Sequence, residues 1–339
     1  MLIRRVAHPR AGLIGNPSDG YFGKTIAFAF TNFRAEVVLY ESPELEILPN
    51  TRDHSLFSSL DALAEDVRLY GYYGGIRLLK ATIKRFHDYC HEQGIDTHDR
   101  NFTIRYTSDI PHQVGLAGSS AIITACLRAL MAFHGVSISK PVQANLILSV
   151  ERHELGISAG LQDRVAQVYQ GLVFMDFDEK IMKAQGAGRY EELDIGLLPP
   201  VYIAYQADLS EGSEVVHNNL RERFERGDPA VLAAIEFWKS ITDQMRDALL
   251  KHDQSKMAAL INANFDRRAA VCRISDGNRR MIETARAVGA SSAFTGSGGA
   301  IVGTYKDEAM YANLVRTMES LHVKVLKPSI APATGEKEP

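Results

Sequence analysis

Glu151 and Asp163 stand twelve residues apart in "ERHELGISAGLQD", among apolar neighbours and with a glycine-bearing bend between them. Two carboxylates so placed can divide labour, one holding a divalent cation and the other facing a substrate hydroxyl. Each has a plainer reading: Glu151 on a solvated helix face, and Asp163 in an ion pair with its neighbour Arg164. Upstream, "PHQVGLAGSSAIITACLRAL" begins at Pro111. Gly115 and Gly118 permit a tight turn and close approach of a ligand, and Ser119 or Ser120 can cap the helix that follows. The unpaired N–H groups and the dipole at such a helix start can bind an anion without a lysine. No lysine follows Gly118, so the familiar phosphate-loop pattern fails. The stretch is therefore a phosphate cradle of another kind or a well-capped turn. A third stretch, "SSAFTGSGGAIVGTY" from Ser291, sets Gly296, Ser297 and Gly298 between apolar segments. Its backbone N–H groups could also meet an anion, although glycine-rich hairpins are common.

These residues need elements to hold them. "LIRRVAH", "KTIAFAF", "AEVVLY" and "LEILP" read as short early strands. Ile76, Leu79, Ile83 and Phe86 recur at helical spacing, with Gly94 as the C-terminal cap. "FTIRYTSDIP" is a strand that runs into the Pro111 stretch, and "AIITACLRALMAFHG" is apolar enough to be a buried helix. A helix around "VQANLILSVERHELG" carries Glu151, and strands follow at "LVFMDF" and "LLPPVYIAYQAD". Long helices are expected from Ser213 to about Ile274, a short one from Asn278 to Val288, and then a last strand pair. Strands dominate early and helices late, which indicates an α+β chain rather than an alternating doubly wound one.

At 339 residues the chain is long for one core, and two lobes are expected, with a boundary between Gly186 and Pro200. The net charge of −3 and the lack of a strong basic run argue against a nucleic-acid or membrane-surface partner. Cys90, Cys126 and Cys272 show no metal or redox spacing, which suits a reduced cytoplasm. No signal peptide or apolar run of membrane-spanning length is evident.

In their order, "RAGLIGNPSDGYFGK", the Pro111 stretch and "FTGSGGA" resemble the three motifs of the GHMP kinases, named for galactokinase, homoserine kinase, mevalonate kinase and phosphomevalonate kinase. The resemblance runs from about Val6 to Tyr305. The usual second motif is Gly-Leu-Gly-Ser-Ser-Ala; here Ala117 and Gly118 make it one residue longer, as in "GLAGSSA". The longer form, with "GNPSDGYFGK" and "GLQDRVAQVYQGLVFMD", is similar to the plant-type glucuronokinase branch. That resemblance implies a two-lobed fold. A ribosomal protein S5 domain 2-like ATP-binding lobe would occupy residues 1–195, a ferredoxin-like lobe 196–327, and a disordered tail 328–339.

It also implies roles. Asp163 would accept the proton of the substrate hydroxyl, and Arg10 and Lys24 would offset charge on the transferred phosphate. ATP would lie along Pro111, Gln113, Val114, Gly115, Leu116, Ala117, Gly118, Ser119 and Ser120. Mg²⁺ would be held by Glu151 with Ser119 or Ser120. Asn16, Asp19, Tyr21, Arg164, Gly296, Ser297 and Gly298 are the sugar-side candidates, although "NPSDG" is also a strong turn sequence. A uronate would also need a partner for its carboxylate, ideally an arginine fork, with Arg164, Lys24 and Tyr21 as candidates. The implied reaction is ATP- and Mg²⁺-dependent phosphorylation of the anomeric hydroxyl of D-glucuronic acid. The alternatives are another sugar (galacturonate, galactose, fucose or a heptose) and a sugar sensor without catalysis. Retention of Asp163, Glu151 and the serines weighs against a sensor. "NPSDGYFGK" weighs against an ATP-using decarboxylase of the mevalonate branch.

Overall fold

Alternation and apolar runs set the layers of this chain, whose computed structural model describes residues 1–50, 53, 59, 74–206 and 220–332. The contacts divide it into two compact units, each drawn from separated stretches of sequence. These units interleave along the chain.

The first unit is built from Met1–Ala7, Arg34–Asp109 and Ser119–Gly156. Its sheet places strand Leu2–Ala7 beside Ala35–Glu41, then Phe102–Ser108, then Glu46–Ile47, with only the last pairing parallel. The expected "LEILP" strand shrinks to Glu46–Ile47. Helix Gly75–Glu92 buries Leu78, Leu79, Thr82, Phe86 and Cys90, while Ile76 and Ile83 are only half-buried. The core face is thus turned slightly from the one the spacing suggested. Gly94 takes a left-handed φ of 62° just past the helix end, as a C-terminal glycine should. Helix Gly118–His134 buries Ile122, Ile123, Cys126, Leu127, Leu130 and Phe133, in keeping with its apolar sequence. The helix around Glu151 is regular only over Lys140–Ser149 and then widens into a π turn at Val150–Glu154.

The second unit holds His8–Phe33, Ile110–Gly118 and Ile157–Pro339. One antiparallel sheet runs Arg10–Ile14, Lys24–Ala29, Leu172–Asp176, Arg189–Leu193, with a register shift between Gly12 and Ile14. The other runs Ala293–Phe294, Ala300–Thr304, Val201–Tyr205, Lys324–Leu326, also antiparallel. Helices Pro229–Leu250, Gln254–Val271 and Asp276–Ala287 occupy most of the region expected to be helical. The expected helix start at Ser213 lies outside the described residues. Trp238 is fully buried on the first of these helices, and its indole N–H reaches the Asn264 carbonyl at 3.4 Å. Part of the expected tail is ordered: Thr31 N–H donates to Ser329 at 2.7 Å, and Ala331 N–H donates to Ala29 at 2.9 Å. Residues 333–339 lie outside the described set. Among the described residues no helix is long and apolar enough to cross a membrane.

His134 ends its helix among aromatic rings in the first unit, 4.5 Å from His98, 5.0 Å from Phe133 and 5.6 Å from Phe86. Burial lowers its pKa from 6.5 to about 4, and His98 and Arg100 push the same way. The unfolded chain therefore binds the extra proton first, and stability falls as pH drops from about 6.5 towards about 4. A His134→Phe variant should lose less of its thermal midpoint between pH 7 and pH 5 than the parent chain. Equal losses in both would remove His134 as the cause.

Candidate active site

Asp163 is the second residue of helix Gln162–Tyr169 in the second unit. Its Oδ1 accepts from Arg10 Nε at 2.8 Å, and Arg10 Nη2 lies 2.7 Å from the same oxygen. Arg10 Nη1 donates to the Gly115 carbonyl at 2.6 Å and to the Thr295 carbonyl at 3.0 Å. One guanidinium thus joins all three motifs. Its side chain is 4% exposed and that of Asp163 18%, so solvent reaches the carboxylate more readily than the arginine. The rival partner Arg164 stands farther off, 3.6 Å from Oδ2, and gives its Nη1 to the Gly160 carbonyl at 2.6 Å.

Asp19 holds the start of the same helix. Its Oδ2 accepts from Leu161 N–H at 2.7 Å and Gln162 N–H at 3.1 Å, which satisfies donors that the helix itself leaves unpaired. Burial raises its pKa and the nearby Asp163 adds to this, against the two N–H groups and Arg10. Asn16 is buried; its Nδ2 donates to the Phe294 carbonyl at 3.0 Å, while its Oδ1 makes no hydrogen bond. Tyr21 is buried with its ring 5.3 Å from that of Phe224. Lys24 stands apart from the Arg10–Asp163 pair. Its Nζ lies 2.9 Å from Asp243 and 3.5 Å from Asp176, and these carboxylates outweigh burial in raising its pKa.

The loop before Gly118 is pinned residue by residue. Val114 and Leu116 are buried, the Leu116 carbonyl accepts from Arg10 N–H at 3.3 Å, and the Ala117 carbonyl accepts from Gln167 Nε2 at 2.8 Å. Gln113, Gly115 and Ala117 all have positive φ, at 55°, 69° and 62°. A side chain is tolerated there only where neighbours enforce the conformation, as they do for Ala117. Pro111 is half-buried and Gln113 exposed. The loop then enters its helix at Gly118. Against it lies the third glycine-rich turn. A Cβ on Gly296 would come 2.5 Å from the Gly115 carbonyl oxygen and 2.9 Å from Arg10 Nη2, so only glycine fits. Arg268 holds this turn from beneath, donating to the Gly296 carbonyl at 2.6 Å and the Ser297 carbonyl at 2.7 Å. Asn278 Oδ1 accepts from Gly299 N–H at 2.9 Å, just beyond Gly298.

In the first unit, Ser120 Oγ lies 3.4 Å from each oxygen of Glu151, with both residues buried. The π turn carries Glu151 at its second position. Such turns often sit at functional sites. Ser119 is half-buried at the same helix start. Among the described residues no group of three or more His, Cys, Asp or Glu could hold a metal. Mg²⁺ needs no such group: it keeps several waters and takes one or two carboxylates, so a buried carboxylate beside a hydroxyl suits it.

Several residues at the site escaped the sequence reading: Thr295 as a carbonyl partner, Gln162, Arg268 and Asn278. Arg268 lies in "NFDRRAAV", where it looks like an ordinary helix arginine. Its burial at 2% exposure is set by a turn 28 residues later, which no local spacing reveals.

Comparison with known proteins extends these observations. Residues 77–171 match the family described as GHMP kinases N terminal domain. Glucuronokinase 1 of Arabidopsis thaliana is 46% identical over 300 residues, covering 86% of this chain and 82% of the relative. Among solved structures, a Lin0012 protein from Listeria innocua superimposes with a TM-score of 0.78 at 15% identity, over 98% of this chain and 99% of that one. The galactokinase of Lactococcus lactis, solved with galactose, superimposes at 0.75 and 14% identity, over 99% and 95% of the two chains. The structural likenesses are to the fold alone, and the likeness in sequence carries the further step: with nearly half its residues shared across most of both chains, this protein belongs to the GHMP kinase family, beside the glucuronokinases.

Proposed function

We propose that this chain transfers the γ-phosphoryl group of ATP to the anomeric hydroxyl of D-glucuronic acid, giving glucuronate 1-phosphate and ADP. The observation that carries the reading is the Arg10 guanidinium, bonded at once to Asp163, Gly115 and Thr295. The name and 46% identity of the Arabidopsis relative supply the substrate.

In this reading the hydroxyl oxygen attacks the γ-phosphorus as the bond to the ADP oxygen breaks, and the electron pair of that bond leaves with ADP. The hydroxyl proton goes to the Asp163 carboxylate. An anomeric hydroxyl is more acidic than an ordinary alcohol, so a carboxylate is an adequate base. Arg10 keeps Asp163 aimed, and offers positive charge where the transferring group is most negative. The Pro111–Ser120 stretch cradles the ATP phosphates with its backbone and helix start. Glu151, with Ser119 or Ser120, would hold Mg²⁺, which supplies charge neutralisation on the phosphates when bound. Gly296, Ser297 and Gly298 border the cradle through the Arg268-supported turn. Asn16, with its spare Oδ1, is the better sugar-hydroxyl partner of the "NPSD" pair, because Asp19 already serves the helix start. Lys24 has a secondary role at most, given its two carboxylate partners. A cytoplasmic setting and the family's two-lobe division at residue 195 belong to the same reading.

A panel of free sugars and uronic acids with ATP, read by ADP release, tests the substrate. Turnover should be highest with glucuronate, and activity confined to neutral sugars would overturn that choice. Asp163→Asn should keep ATP binding, measured by calorimetry, while turnover falls by about 10²- to 10⁴-fold. Near-parental turnover would remove Asp163 as the base.

A further inference from the structure

A uronic acid brings a carboxylate that a neutral sugar lacks, and this group needs a cation. Several cations of the second unit are committed to protein acceptors. Arg10 serves Asp163, Gly115 and Thr295. Arg164 serves Gly160 and Asp163. Arg268 serves Gly296 and Ser297, and Lys24 serves Asp243 and Asp176. Arg223 pairs with Asp228 at 2.8 Å and donates to the Val271 carbonyl.

Arg221 differs from all of these. It is half-buried with its Nε shut away from solvent, and what sets it apart is that its side chain makes no hydrogen bond or ion pair among the described residues. A guanidinium partly stripped of water without an acceptor is costly to keep. Its planar fork matches a carboxylate in two parallel hydrogen bonds.

Its position fits that use. Residues 220–225 are helical, so Arg221 and Phe224 share a face. Phe224 packs on Tyr21, which ends the short turn Ser18–Tyr21. The same turn carries Asp19, whose carboxylate grips Leu161 and Gln162 immediately before Asp163. Burial pushes the Tyr21 phenol up, and Arg221 is the strongest influence against it.

We propose that Arg221 receives the carboxylate of the substrate and thereby sets a preference for uronic acids over neutral sugars. This rests on the sugar-kinase reading above and assigns its specificity to a residue outside the three family motifs.

The test compares the parent chain with Arg221→Met and Arg221→Lys, using D-glucuronate, D-galacturonate, D-glucose and D-galactose with saturating ATP. Thermal melting first establishes that each variant is folded, and Arg221→Gln replaces any that is not. The ratio of kcat/KM for glucuronate to that for glucose should fall at least about tenfold in Arg221→Met, mainly through KM for the uronate. The KM for ATP should not change. Arg221→Lys should recover only part of the ratio, because an ammonium lacks the fork. An unchanged ratio in folded variants, with a parent chain that prefers uronates, overturns the assignment of Arg221 alone. A parent chain that turns over no uronate overturns the substrate reading and this inference together.

Discussion

The second unit depends on one buried cation. Arg10 reaches Gly115, Asp163 and Thr295, which lie 105, 153 and 285 residues away along the chain. No hydrophobic contact could do the same work, because apolar packing is indifferent to direction and these partners are two carbonyls and a carboxylate. The charge is affordable in the interior only because each donor nitrogen meets an oxygen. The same bonds fix where the Asp163 carboxylate points. Stability and orientation are therefore one requirement here, and the glycine at position 296 follows from it, since any side chain would intrude between the guanidinium and the loop.

Around that cation the supports are mostly polar and distant in sequence. Asp19 closes the helix start before Asp163, Gln167 holds the Ala117 carbonyl, and Arg268 holds the opposing turn. The loop can sustain a left-handed alanine because its buried neighbours Val114 and Leu116 leave it no other path. Preorganisation of this kind suits phosphoryl transfer, in which positioning and charge do most of the work.

Much of this was legible in the sequence and some was not. The apolar run after Ser120 announced a buried helix, and the three glycine-bearing motifs announced loops that approach something closely. The pairing of Asp163 with Arg10 could not be read locally, where Arg164 is the obvious neighbour; only the fold brings Arg10 closer. Asp19 looked like a sugar ligand or a turn residue and became a helix anchor, because its partners lie 142 and 143 residues away. Glu151 was expected on a regular helix, yet that helix widens into a π turn there. A single inserted hydrogen-bond step leaves no mark in hydrophobic spacing. The tail between 328 and 332 looked disordered by composition, since backbone pairing needs no particular side chains.

That pairing also bears on how the protein is made. The strand end at Ala29–Thr31 bonds to Ser329 and Ala331, and Asn32 Oδ1 accepts from Ser329 N–H across 297 positions. On a ribosome the early partner waits unpaired while nearly the whole chain emerges, because loop closure this long cannot be rehearsed with a nascent fragment. The first unit contains no residue later than Gly156, so all of it has been synthesised well before the second unit is complete. The Arg10-centred unit includes residues as late as Ala331, so its assembly is finished only after elongation has passed that point.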